Sequence, residues 1–201
     1  MRAVLLLAAS LLLAACASVP QRTAVVPASY EARRPLLQAV THFDLDGRLA
    51  AAVGQEGVNA SLAWQQRGSR TQLQMRAPLG FGSAQITRDG DDIHLLSSRG
   101  EQLQGELATA ALARRLGFSP PLDSLRYWVL GVPDPALPAV ETQGAGASLA
   151  ALEQDGWRVE YPEYRSFGTG ALEAMLPRRL TLLRADVRLR LIIEHWAVAQ
   201  P

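Results

Sequence analysis

Few side chains in this sequence could do chemistry. His42, His94 and His195 are scattered along 201 residues. His42 and Asp44 stand two apart, so on an extended strand they share a face and could work as an acid–base pair. A salt bridge or a plain solvated face explains the same spacing. No histidine stands at a metal-ligand spacing from another candidate ligand. There is no Gly-x-Ser-x-Gly elbow for a nucleophilic serine. Gly80-Phe81-Gly82 is a lone Gly-x-Gly between two strand patterns, so it opens no helix and builds no phosphate loop. We therefore assign no catalytic residue, no metal ligand and no cofactor. The formal net charge of +1 leaves no footprint for nucleic acid. Every basic residue is arginine, which we read as genomic composition bias.

The one cysteine, Cys16, cannot form an internal disulfide. Met1-Arg2 is a minimal positive region, and Ala3 to Leu13 is an apolar run too short to span a bilayer comfortably. The run ends in Leu13-Ala14-Ala15-Cys16, the pattern of a bacterial lipobox. We expect residues 1–15 to be a lipoprotein signal peptide and the Cys16 thiol to carry diacylglycerol. Ala17, in place of an aspartate, points to release to the outer membrane. Residues 16–40 read as the lipidated cysteine, a flexible tether and a short helix near Ser29 to Val40, with Ser29 as N-cap and Pro35 limiting its length.

Residues 41–201 form a single domain dominated by alternation. Phe43, Leu45, Gly47, Leu49, Ala51 and Val53 fall on one strand face, and Asp44, Asp46 and Arg48 on the other. Val58 to Gln65 and Gln72 to Arg76 alternate likewise, joined by a turn at Gly68-Ser69. The next connection, Pro78-Leu79-Gly80-Phe81-Gly82, is apolar where hairpin tips are normally polar. Leu79 and Phe81 either fold back onto the sheet or face something apolar outside the protein. Further strands hold Ile86, then Leu95.

The period then lengthens. Ala108 to Leu116 is a good helix former, with Gly117 placed as a C-cap. After Ser119-Pro120-Pro121 a second helix runs from Leu122 to Leu130, capped by Ser119 or Asp123, with Leu122, Leu125 and Trp128 on one face. Pro133 to Ser148 reads as a loop. Strands resume with Trp157, Val159 and Tyr161, then a strand introduced by Pro177, a turn at Ala185-Asp186, and Val187 to Ile193. About ten strands in one sheet must curl. The expected fold is mainly β: an unclosed antiparallel β-barrel of about ten or eleven strands, its concave side covered by helices from the middle of the chain. Trp64, Trp128, Trp157 and Trp196 all fall on faces assigned inward; a packed core accounts for most of these residues, and the sharper reading is a cavity for acyl chains.

Taken in order, several fragments carry a resemblance. They are the lipobox; Phe43-Asp44-Leu45-Asp46-Gly47-Arg48-Leu49-Ala50; Leu62-Ala63-Trp64-Gln65-Gln66; Ala77-Pro78-Leu79-Gly80; Pro121 to Gly131; Gln154-Asp155-Gly156-Trp157-Arg158-Val159-Glu160-Tyr161; and the closing Leu189 to Trp196. This ordered set resembles the LolB family of outer-membrane lipoprotein receptors. The resemblance implies a lidded barrel over a hydrophobic cavity, anchored by its own lipid in the outer membrane and facing the periplasm. It implies a monomer whose partners are the carrier LolA, acylated lipoprotein cargo and outer-membrane lipid. By its Pro-Leu-Gly context, Leu79 takes the place of the family's exposed membrane-delivery leucine, with Phe81 as an added aromatic.

Candidates for lining the acyl cavity are the inward apolar residues. From the first half these are Leu49, Leu62, Trp64, Leu73, Met75 and Leu95. The lid adds Leu122, Leu125 and Trp128, and the last strands add Trp157, Val159, Leu180, Leu182, Leu189, Leu191 and Trp196. A structural or assembly lipoprotein with a filled core and a protein partner is the alternative reading.

Overall fold

The computed structural model describes residues 29–80, 82–167 and 174–198. Helix α1 (Tyr30–Gln38) comes first, its N-terminus capped by Ser29, whose hydroxyl accepts a 3.3 Å hydrogen bond from the Ala32 amide. Six strands follow: β1 (His42–Val53), β2 (Glu56–Arg67), β3 (Arg70–Arg76), β4 (Ser83–Asp89), β5 (Asp92–Ser97) and β6 (Gln102–Gln104). Helices α2 (Gly105–Leu116) and α3 (Leu122–Trp128) interrupt the β-structure. Five strands complete it: β7 (Ala139–Gln143), β8 (Leu149–Gln154), β9 (Trp157–Phe167), β10 (Ala174–Arg184) and β11 (Val187–Val198).

All eleven strands join one sheet in the order β6-β5-β4-β3-β2-β1-β11-β10-β9-β8-β7. Every neighbour is antiparallel, and nine of the ten pairings join strands adjacent in sequence. The one long-range closure is β1 on β11, which welds the two meanders together. β6 and β7 are the edges and do not pair with each other, so the barrel is unclosed.

The curl is built in at β1 and β11. Asp46 faces His195 but Gly47 faces Ile193, so Glu194 is an extra residue in the ladder. The bulge shifts the phase of β11. Val187, Leu189, Leu191 and Ile193 point inward before it, and Trp196 lies inward after it, with its ring 5.4 Å from that of Phe43. Glycine at position 47 is required by space. A Cβ there would stand 2.2 Å from the carbonyl oxygen of Ile192.

Three local expectations are corrected. Residues 133–148 are not all loop. β7 lies within them, a five-residue edge strand too short to show a period and recognisable only through its pairing with β8. Pro177 does not open β10 but sits inside it, where register shifts against β9 bulge the ladder and no amide is needed from proline. Neither Ser119 nor Asp123 caps α3, whose N-cap is Pro121 and makes no side-chain cap bond. The Gly117 C-cap of α2 is present in left-handed backbone, φ 77°.

Candidate functional site

The concave face is one continuous apolar surface. Leu62, Trp64, Leu73, Leu95, Trp157, Val159, Leu180, Leu182, Leu189 and Leu191 are buried on it, and Leu49, Met75 and Trp196 pack against the same cluster while partly exposed. Alternation along each strand puts them there, since residues two apart share a face. From above, Trp128 is fully buried, and Leu122 and Leu125 join the cluster half-exposed. The structure therefore brings all the candidate lining residues together. Sequence reasoning missed Phe118, which packs edge-on at 5.9 Å against Trp157. Its place between Gly117 and Ser119-Pro120 reads as a chain break, and no periodicity marks it.

Helices α2 and α3 roof this face. Trp128 and Trp157 lie 6.5 Å apart between ring centres. Trp128 Nε1 donates to Gln154 Oε1 at 2.8 Å, and the Tyr161 hydroxyl donates to the Trp128 carbonyl at 3.0 Å. Ser124 Oγ donates to Asp134 Oδ2 at 3.0 Å, and Arg88, on the inner face of β4, forms an ion pair with Asp123 at the start of α3. The Trp157 Nε1–H is buried without a hydrogen-bond partner. Two clefts of about 520 and 560 Å³ flank the roof. One is lined by β8–β9 hairpin residues with Arg184; the other opens between α2, α3 and Asp134 to Leu137, beside Arg88 and Ile93.

A polar seam fixes α1 across the second half of the sheet. The Tyr30 hydroxyl donates to Glu141, Arg34 pairs with Glu141 at 2.8 Å, and Gln38 donates to the Pro133 carbonyl at 2.9 Å. Arg33 is buried with its guanidinium on the Ala147 and Met175 carbonyls, and burial lowers its pKa. Burial also holds the Tyr161 and Tyr164 phenols above their ordinary range, and burial together with the Glu141 bond does the same for Tyr30.

The turn between β3 and β4 settles the orientation of Leu79. The side chain is 93% exposed, and its backbone is left-handed with φ 54°. It does not fold back onto the sheet. The turn is closed by the Ala77 amide on the Gly82 carbonyl at 2.9 Å. Phe81 and Cys16 lie outside the described residues. The His42–Asp44 pair is not formed. His42 Nδ1 meets Thr41 Oγ1 at 2.9 Å, and Asp44 takes two hydrogen bonds from Arg67 Nη2 at 2.7 and 2.8 Å.

An open antiparallel barrel with an apolar concave face, roofed by helices, defines a class of protein: a lidded host for apolar groups. Among solved structures, the fold is similar to a DUF1329 family protein from Desulfovibrio piger (TM-score 0.54, 6% identity, covering 84% of this chain and 91% of that one). It is also similar to a LolA superfamily protein from Nitrosomonas europaea (TM-score 0.51, 8% identity, covering 87% and 96%). The chain belongs to the LolB family, whose model, "Outer membrane lipoprotein LolB", matches residues 41–196. Its sequence is 33% identical over 195 residues to the outer-membrane lipoprotein LolB of Nitrosococcus oceani, covering 96% of this chain and 95% of that protein. It is 34% identical over 193 residues to that of Alkalilimnicola ehrlichii, covering 95% and 94%.

Proposed function

We propose that this protein receives acylated lipoproteins from the periplasmic carrier LolA and inserts them into the outer membrane. The observation that carries the reading is the union of a continuous apolar concave face under a helical roof with a solvent-directed leucine at a hairpin tip. An acyl chain of about fifteen methylenes costs roughly 12 kcal/mol to release into water. Cargo bearing several such chains must pass from host to host, and the bilayer is the final sink. Aliphatic and aromatic walls suit chains that have no hydrogen-bonding groups and vary in length. The rings of Phe118 and Trp128 meet Trp157 beneath the roof, so acyl chains that enter there meet aromatic walls. The step needs no nucleotide, metal or covalent chemistry, and we assign the protein no enzymatic activity.

In this reading residues 1–15 are the signal peptide, Cys16 carries the lipid anchor, and the tether holds the barrel of residues 41–201 at the periplasmic side of the outer membrane as a monomer. Leu79, with Phe81 beside it, delivers the cargo to the membrane. The test is transfer. LolA loaded with a radiolabelled lipoprotein is mixed with the non-acylated chain, and a pull-down locates the cargo. Movement onto this chain is expected. Cargo remaining on LolA, with the chain shown to be folded, overturns the proposal.

The alternative is a structural or assembly lipoprotein with a filled core that binds a protein partner. Saturable uptake of a fluorescent fatty acid separates the two, since only the receptor binds it.

A further inference from the structure

We infer that the end of the sheet carrying Leu79 is a docking surface for anionic phospholipid, in which Leu79 and Val58 enter the apolar edge of the bilayer while Arg76 and Arg99 meet headgroup phosphates. The inference rests on the membrane-delivery reading of Leu79 given above and names the lipid that this surface takes.

Two apolar side chains stand out of the fold here. Leu79 is held outward in a left-handed backbone that a branched apolar residue rarely adopts. β2 overruns β3, because the last residue of β3, Arg76, already pairs with Ser61. Val58 lies on this overhang in the inward phase of the strand, yet it is 55% exposed. The Leu79 turn packs against β2.

Two cations flank them. Arg76 is exposed, and among the described residues its guanidinium meets only Gln74 Oε1, at 3.2 Å. Arg99 is exposed at the tip of the β5–β6 hairpin and has no carboxylate partner among the described residues. That hairpin is fixed beside the Leu79 turn. The Ser98 amide donates to the Ser83 carbonyl at 2.9 Å, and the Ser83 amide donates to Ser98 Oγ at 3.0 Å. Glu101, the carboxylate of the same hairpin, is taken by Arg115. Arg48, Arg67 and Arg88 in the same meander each hold a carboxylate; Arg76 and Arg99 hold none and stand at the Leu79 end of the sheet, while Arg70, also without a carboxylate partner among the described residues, lies at the opposite end of β3. An acidic protein would attract the same cations. The apolar element between them is a pair of projecting side chains, Leu79 and Val58, which fits a fluid surface better than a folded one.

The experiment is vesicle flotation with the non-acylated chain from Ala17 onward, whose core begins at Tyr30. Vesicles are phosphatidylcholine alone, or phosphatidylcholine mixed with phosphatidylglycerol. Binding to the anionic vesicles is expected to be about tenfold tighter at low salt and to fall as salt rises. The double variant Arg76→Gln/Arg99→Gln is expected to lose about tenfold on anionic vesicles. Its binding to phosphatidylcholine and its acceptance of cargo from the carrier should not change. Leu79→Glu should weaken binding to both vesicles.

Equal binding to the two vesicle types, or a double variant that behaves as the parent, overturns the inference. A double variant that loses cargo acceptance but keeps vesicle binding also overturns it, and gives the cations to an acidic protein partner. Normal lipoprotein delivery by Leu79→Glu instead removes the delivery reading beneath it.

Discussion

Trp128 and Gln154 tie the roof to the sheet. The indole N–H of the last residue of α3 donates at 2.8 Å to the side-chain oxygen of the last residue of β8. The same oxygen accepts the Asp134 amide at 2.9 Å, while Gln154 Nε2 donates to the Asp134 and Leu137 carbonyls, both at 2.9 Å. One buried amide thus satisfies four groups of the lid and the segment after it. Such a hub is strong only while complete, because a lost partner leaves buried polar groups unpaired.

Gln154→Ala is therefore expected to destabilise the fold by about 3 kcal/mol. The unpaired groups would sit where the roof meets the sheet. Urea unfolding measures the loss. Hydrogen exchange should show earlier opening of the 122–137 segment than of β1 or β11.

Leu79 is held outward at a conformational cost, so stability and delivery should separate there. Leu79→Gly fits the φ of 54° better and should leave stability unchanged or raise it by about 0.5 kcal/mol. Leu79→Glu should fold normally and still accept cargo. Both should impair insertion into membranes. The checks are thermal unfolding alongside a two-step assay that scores transfer and insertion separately. A stable Leu79→Gly with full insertion would remove the leucine from the mechanism.

Gly47 is where β1 and β11 approach most closely. Gly47→Ala places a methyl group 2.2 Å from the Ile192 carbonyl oxygen, and backbone on both strands would have to move. We expect a loss of about 3 kcal/mol or failure to fold, read by denaturant unfolding. Gly54, whose added Cβ would meet nothing within 4 Å, is the control for space; its φ of 58° sets only a smaller conformational cost.

Alkaline pH should act through the buried phenols. Tyr161 and Tyr164 are held above the ordinary value of 10.0 by burial. Below about pH 10 they are protonated in both folded and unfolded chains, and their contribution is complete. Above it the unfolded chain gives up protons that the folded chain keeps, so stability falls as pH rises. The urea midpoint should be flat approaching pH 10 and drop beyond it. Phenolate absorbance from these residues should appear only with unfolding. Tyr161→Phe should reduce the drop, though it costs about 1 kcal/mol at neutral pH through the lost bond to the Trp128 carbonyl.

The sequence alone determined the local grammar of this protein. Alternation placed Leu45, Trp64, Leu73, Leu189 and Leu191 on one face, because a strand turns its side chains over every second residue whatever lies above it. Gly117 ended α2 for an equally local reason, the left-handed backbone that a C-cap needs. Tertiary structure decided what local rules cannot see. The inward side of Trp196 is legible in the sequence, but the means, the Glu194 bulge that shifts the phase of β11 against β1, is tertiary. β7 exists only because β8 gives it hydrogen-bond partners. Asp123, which reads as a helix cap, is instead the partner of Arg88 from β4. The pairing of His42 with Asp44, allowed by spacing, yields to Arg67, which reaches Asp44 from the neighbouring strand. The direction of Leu79 was also undecided until the turn had a conformation. The same five residues fit a tip folded inward or outward, and the backbone at φ 54° sends the side chain into solvent.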